Sequence, residues 1–343
     1  MKPSVSFFSL FLLTLLLSSC AFTPVLTDKL QAYIESLNRY SELTIKPVSQ
    51  SFNFIHLPAR DERLQALSTF DVSLIEFLSL QDCDIGYHLG VRNSLLGKVM
   101  THSQRLVYET DIIRAIENCD LLVNNPRPKL IDKIKKVAQQ KRDELYKAYG
   151  NAIWGGTEME RFFSLSNGHL PMTIKRTHVQ PLQRTLEKLT TFAEDLPTLP
   201  KLRQEKLEYS LKILYHSEYG GQLLLTLVLL TDTLQNIAVS LDAVPIDDAF
   251  CLGPARFLQQ QMNQHYITII QPYMARLNTT AYYILPQLSQ LGASSQNMTE
   301  SMRSFLGQLS QEDSHSLWGQ YQAASQYHAR AWDRILRQCQ LFN

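Results

Sequence analysis

Between Pro200 and Pro245 no proline interrupts the chain, and Leu207, Leu211, Leu214, Leu225, Val228 and Val239 step through this stretch at four-and-three spacing. That is the period of an α-helix. Within it, residues 223–230 (LLLTLVLL) are apolar on nearly every face. A helix with no polar side has to be enclosed, either by lipid or by other helices. Asp232, Gln235 and Asn236 interrupt the run before the ~20 apolar residues a membrane span requires. The stretch is therefore expected to be a buried central helix from about Lys201 to Val244. Gly220-Gly221 marks a close crossing or a kink.

A buried central helix needs partners, and the remaining sequence supplies them. Leu30, Tyr33, Ile34, Leu37 and Tyr40 predict a first helix from Asp28. Residues 48–60, with Pro58, form an extended connector. Asp71 is expected to cap a helix through Leu74, Ile75, Phe77, Leu78 and Leu80, with a short helix after Asp84 and a longer one over about 102–118. Asn124–Pro128 is a break. A long helix then runs from Leu130 to Gly155-Gly156, and another from Gln180 to Leu196. After Pro245, a loop carries Cys251, and helices follow at about 255–288 (kinked by Pro272), 296–311 and 314–340. No strand-rich region or internal repeat is visible. The expected fold is all-α, a multi-helix bundle with long central helices and short connecting loops. Residues 27–343 form one domain, with a possible division into packed halves at 27–125 and 126–343.

The first twenty residues carry an address. Lys2 is followed by an apolar run from Val5 to Leu17 that is broken only by Ser6, Ser9 and Thr14, and then by Ser18, Ser19 and Cys20. A short charged start, an apolar core and small residues before a cut describe a secretory signal. Leu17-Ser18-Ser19-Cys20 resembles the lipobox of bacterial lipoproteins. That resemblance implies a cleaved signal at residues 1–19, a cut between Ser19 and Cys20, a diacylglyceryl group on the Cys20 sulfur and an acylated new amino terminus. Each buried methylene contributes about 0.8 kcal/mol, so several acyl chains on one cysteine give durable attachment. Residues 20–26 would be a lipidated tether, spanning ~20 Å at most. Ala21 is not the aspartate that retains such proteins at the inner membrane, which favours the outer membrane and its periplasmic face.

Charge and cysteine usage agree with export. The chain has 33 Lys and Arg against 32 Asp and Glu; loss of Lys2 with the signal leaves 32 against 32. A neutral body has no global attraction to nucleic acid or to anionic lipid. Beyond Cys20 there are four cysteines, Cys83, Cys119, Cys251 and Cys339. An even number in an oxidising compartment favours disulfides. Of three connectivities, Cys83–Cys119 and Cys251–Cys339 keep each bridge within its own half.

The densest polar run is Asp82–Gly97, continuing to His102-Ser103-Gln104-Arg105 and Glu109. This stretch, with its Cys-Asp…Arg-Asn-Ser-Leu…Gly…Ser-Gln-Arg-Leu…Tyr pattern behind an export signal, resembles a family of uncharacterised Gram-negative lipoproteins classed as a domain of unknown function. The resemblance implies no activity and no catalytic residues. From the residues themselves, Arg92, Arg105 and Glu109 suit a buried ion-pair network. Alternatively Arg92, Asn93 and Arg105 line a pocket for an anionic small molecule or lipid headgroup. His328 lies on the apolar side of the last helix and reads as a hydrogen-bonded core histidine. No His-Glu-x-x-His, zinc-spaced cysteine pair, Gly-x-Ser-x-Gly or phosphate-cradling glycine loop occurs, so no metal, cofactor or catalytic residue is expected. The expectation is a non-enzymatic, membrane-tethered interaction module that contacts an envelope protein or cell-wall material.

Overall fold

The computed structural model describes residues 25–47, 56–81, 83–120, 127–296 and 298–341. Ser19, Cys20, most of the tether, residues 48–55 of the connector and residues 124–126 of the expected break lie outside them. Among the described residues all regular structure is helical, as the periodicity requires.

The helix at the centre is α12 (Tyr219–Asp242), apolar and with 15 of its 24 residues buried. The expected single helix over 201–244 is instead two, because α11 (Gln204–His216) ends at an extended Ser217 and α12 starts anew. The glycine pair explains the join. A Cβ on Gly221 would lie 2.1 Å from the Ser164 carbonyl oxygen, and one on Gly220 would lie 2.6 Å from the Phe162 ring. The chain at 162–164 thus crosses the start of α12 at backbone contact, which only glycine permits. Together Gln204–Asp242 is long and apolar enough to cross a membrane, yet 61% of its most apolar window is buried inside the protein. Val239, expected on the buried stripe, is 52% exposed.

Around α12 stands the large core. Its most extensive neighbour is α17 (Leu317–Gln338), capped by the Ser316 hydroxyl on the Gly319 amide at 3.0 Å. Further walls are α1 (Leu26–Leu37), α8 (Leu145–Trp154), α9 (Thr157–Phe162), α10 (Arg176–Asp195) and α15 (Gln271–Ala293). Cys251 sits on a short helix, α13 (Asp248–Leu252), rather than a loop, because the Asp247 carboxylate caps it at the Phe250 amide. It is bonded to Cys339 at the end of α17, with Cα atoms 5.0 Å apart. Between α14 (Pro254–Gln261) and α15 the backbone widens into a nine-residue π-helix, Met262–Ile270. Pro272 follows directly, so the deformation expected at that proline is taken up in the turns before it. There the ring would otherwise press on the carbonyl one turn back. Inside this shell His328 is fully buried. The Trp332 indole N–H donates to the Tyr33 hydroxyl at 3.0 Å, and that hydroxyl lies 3.3 Å from His328 Nε2. Desolvation depresses the imidazole pKa to about 3, so the ring is neutral.

A second, smaller core draws on Phe70, Leu80, Ile85, Leu89, Ile112 and Ile134, among others. It takes residues from both sides of position 126, so the seam in the packing does not fall at the 125/126 division. Its helices are α4 (Asp84–Asn93), α6 (His102–Glu117) and α7 (Pro128–Asp143), with the short α3 (Leu74–Leu78) before them and α5 (Leu95–Lys98) appended. The short α2 (Arg60–Arg63) lies against the large lobe, where Arg63 donates to the Trp154 carbonyl at 2.6 Å. The long helix expected from Leu130 is broken at Glu144, whose carboxylate holds the amide and hydroxyl of Ser68. Helix α6 serves both cores: Leu106 and Ile113 face the large one, Ile112 and Ile116 the small one. The last structured piece is α16 (Glu300–Gly307), capped by Thr299.

Candidate interaction surface

The small lobe is folded with an apolar side turned to water. Helix α3 is capped at Ser73, not Asp71. The Ser73 hydroxyl accepts from the Glu76 amide at 3.3 Å, and the Glu76 carboxylate accepts from the Ser73 amide at 2.7 Å. Glu76 also reaches Lys133 of α7 at 3.0 Å. The Ser73 backbone bond and then Lys133 hold its carboxyl below the usual range. The polar edge of α3 is thereby fastened to the protein, and Phe77 packs on the small core. Leu74, Ile75 and Leu78 are left facing solvent.

Helix α4 buries Ile85, Gly86 and Leu89 and is tied at its start by Cys83–Cys119, with Cα atoms 5.8 Å apart. Its outer side carries Tyr87 and Val91. At its end the chain turns back sharply. A Cβ on Gly97 would lie 2.1 Å from the Val91 carbonyl oxygen, and the Ser94 hydroxyl caps α5 at the Gly97 amide at 3.0 Å. That turn leaves Leu95, Leu96 and Val99 outside. Together Leu74, Ile75, Leu78, Tyr87, Leu95, Leu96 and Val99 are between 60 and 84% exposed. Tyr87, Val91 and Leu96 also edge a shallow cleft of about 340 Å³ that reaches Gln204 of the large lobe. His88, in the same cleft, has its imidazole pKa lowered by burial. Exposed leucines scattered singly are ordinary, whereas these seven large apolar side chains all fall between Leu74 and Val99.

The arginines singled out in the sequence lie behind this surface. Arg105 donates to Glu109 at 2.5 Å, and Lys141 of α7 donates to the other oxygen of the same carboxylate at 2.8 Å. Glu109 and Lys141 are buried. The Arg105–Glu109 pair is the one that i,i+4 spacing predicts, and Lys141 is the member that local spacing does not reveal. Arg92 is half-buried and donates to the Gly97 carbonyl; desolvation and the nearby Arg105 charge lower its pKa. Asn93 is exposed at the end of α4. None of the three lines the cleft beside them. Arg105 braces Glu109 within α6, Glu109 joins α6 to Lys141 of α7, and Arg92 holds α5 to α4.

Among the described residues no group of three or more His, Cys, Asp and Glu side chains is placed to hold a metal ion. No curated protein and no solved structure is detectably similar to the chain. A family profile does match: residues 30–342 fit the proteins of unknown function designated DUF3080. The match takes in both lobes, both disulfides and the exposed apolar surface, and the chain belongs to that family.

Proposed function

We propose that this protein is a lipid-anchored module of the bacterial cell envelope, tethered through Cys20 to the periplasmic face of the outer membrane, that works by binding another envelope protein through its small lobe. The observation that carries the reading is the outward apolar side of α3, α4 and α5. Seven large side chains remain in water although the fold spends a capping box, a glycine turn and an ion pair on holding their helices in place. Covering one leucine fully would contribute about 1.5–3 kcal/mol, so a handful suffices for a specific contact. Two disulfides accord with an oxidising compartment, and the Leu17–Cys20 motif accords with acylation.

The test is site-specific photocrosslinking in cells, with a photoreactive residue at Leu95 and, as a control, at Val239 on the large lobe. A discrete protein adduct from position 95 that is absent from position 239 is the expected result. It should disappear in a Leu74→Ser, Leu95→Ser, Leu96→Ser variant of unchanged thermal stability. If position 95 yields no protein adduct, or only adducts shared with position 239, the partner reading fails. Intact mass and membrane fractionation of the native chain against Cys20→Ala test the tether separately.

A further inference from the structure

The root of the tether opens into a second site. Val25 and Leu26, the first described residues, line a cleft of about 590 Å³. It continues into a groove of about 290 Å³ that shares His178, His216 and Ser217 with it. Part of the cleft's lining is apolar, from Leu170, Met172, Ile174 and Val179. Lys175 and three imidazoles (His169, His178 and His216) share the lining with one carboxylate, Glu218, which also lies 3.8 Å from Arg161.

Two helices also begin here, the 20-residue α10 at Arg176 and the 24-residue α12 at Tyr219. The start of α10 has neither an acidic residue in its first turn nor a side-chain cap; that of α12 follows directly on Glu218, and the Ser217 hydroxyl accepts from its Tyr219 amide at 3.4 Å. Helix starts present N–H groups and partial positive charge, and so favour an anion. Two further groups at the same place are unsatisfied. Tyr219 is 7% exposed and its hydroxyl makes no hydrogen bond; the neighbouring Thr280 hydroxyl donates instead to backbone carbonyls of its own helix. His169 Nε2 is buried and also without a partner. Buried polar atoms are seldom left so in a finished core.

An apolar lining beside Lys175 and the uncapped start of α10 matches one occupant, a phospholipid with an anionic headgroup. Its phosphate would meet Lys175, His169 and the start of α10, and its first acyl chain the apolar lining. The position supplies the lipid. Cys20 is five residues before Val25, at most ~17 Å of extended chain, so an acylated Cys20 keeps this cleft at the bilayer surface. We infer that the cleft binds an anionic membrane phospholipid and thereby seats the large lobe on the membrane. The inference takes its membrane from the proposed tether, and its site from the cleft alone.

The experiment uses the full chain purified in detergent, photolabelled with a phosphatidylglycerol probe carrying a diazirine on one acyl chain. Adducts are mapped by peptide mass spectrometry, and the intact mass of the same sample reports acylation at Cys20. Adducts should concentrate on residues 169–179. A Lys175→Glu, His178→Glu variant, altered only at exposed positions, should lose labelling about tenfold, and His169→Phe should weaken it. Concentrated labelling of unacylated protein would uphold the cleft while removing the tether. Adducts spread over the exposed leucines of the small lobe, equal labelling by a phosphatidylcholine probe, or an acylated chain unlabelled at 169–179 would each overturn the inference.

Discussion

Compared side by side, the two lobes are built on different terms. The large lobe encloses most of its apolar surface around α12, although Leu252 and Tyr282 stay exposed; its buried polar groups are mostly hydroxyls bonded back to their own helices, and His328 is enclosed as a neutral ring. The small lobe has too few helices to cover all its apolar residues. It buries an ion triad, Arg105–Glu109–Lys141, where the large lobe would place leucine, and it leaves leucine, isoleucine and valine in water. A buried triad is rarely the most stable filling, though it holds neighbouring helices in one arrangement. The small lobe fixes three short helices whose outer apolar side chains it does not itself cover. The large lobe is the ballast on which the small one is mounted, and α6 joins them by giving one face to each.

The sharpest way to break this contrast is at Glu109. Glu109→Gln leaves Lys141 buried without a counter-charge, and losing one member of such a pair costs about 3–5 kcal/mol. Hydrogen exchange should show α4, α6 and α7 opening while α12 and α17 stay protected; uniform loss across both lobes would mean that they are one cooperative unit. Next come the disulfides, typically ~2–4 kcal/mol each. The Cys251–Cys339 bridge spans 88 residues and Cys83–Cys119 spans 36. In the chain-entropy view the longer loop contributes about 0.8 kcal/mol more, so Cys251→Ala, Cys339→Ala should lower the urea midpoint further than the small-lobe pair.

Acid separates the lobes by a smaller amount. His328 keeps its proton off in the fold down to a pH of about 3, whereas an unfolded histidine takes one near 6.5. Its contribution is therefore complete above the ordinary histidine range and is lost as pH falls, by about 2 kcal/mol at pH 5. His328→Gln should flatten that slope in a pH series of urea melts, and the large lobe should be the one that loosens first in the parent. The smallest contrast uses glycine. Gly221→Ala drives a Cβ into the Ser164 carbonyl and should cost about 1–3 kcal/mol. Gly90→Ala, in open space on α4, should gain about 0.5–1 kcal/mol.

What could be read from the chain beforehand follows from how local the cause is. Helices α1, α6 and α10 were legible from their helical spacing, and the cysteine pairing was legible because each pair lies within one half of the chain. The capping box at Ser73-Leu74-Ile75-Glu76 was equally visible, and weighing Asp71 above it overlooked the Ser-x-x-Glu signature. The break at Ser217 left one local mark, the Gly220-Gly221 pair read as a close crossing or a kink; the periodicity runs straight through it, and what crosses, the chain at Ser164, lies over fifty residues away. Distance likewise hid Lys141 under Glu109 and the cleft at the tether root, which joins Val25, His169 and Tyr219. Leu74, Ile75 and Leu78 show the limit most plainly. A stripe of leucines announces that something will cover it, but the pattern is the same whether the cover is the chain itself or another molecule.

The π-helix at 262–270 sets a phase. Its wider turns rotate everything after it, so the faces of α15 meet the core out of step with α14, although the two run on as one rod. A single-residue deletion inside that segment would restore an ordinary helical turn. It would also swing Tyr273, Leu277 and Ile284 away from the interior they now fill. The rod would remain a rod while its pattern slipped round the axis, so these nine residues work as a gear tooth whose count cannot change without re-indexing α15.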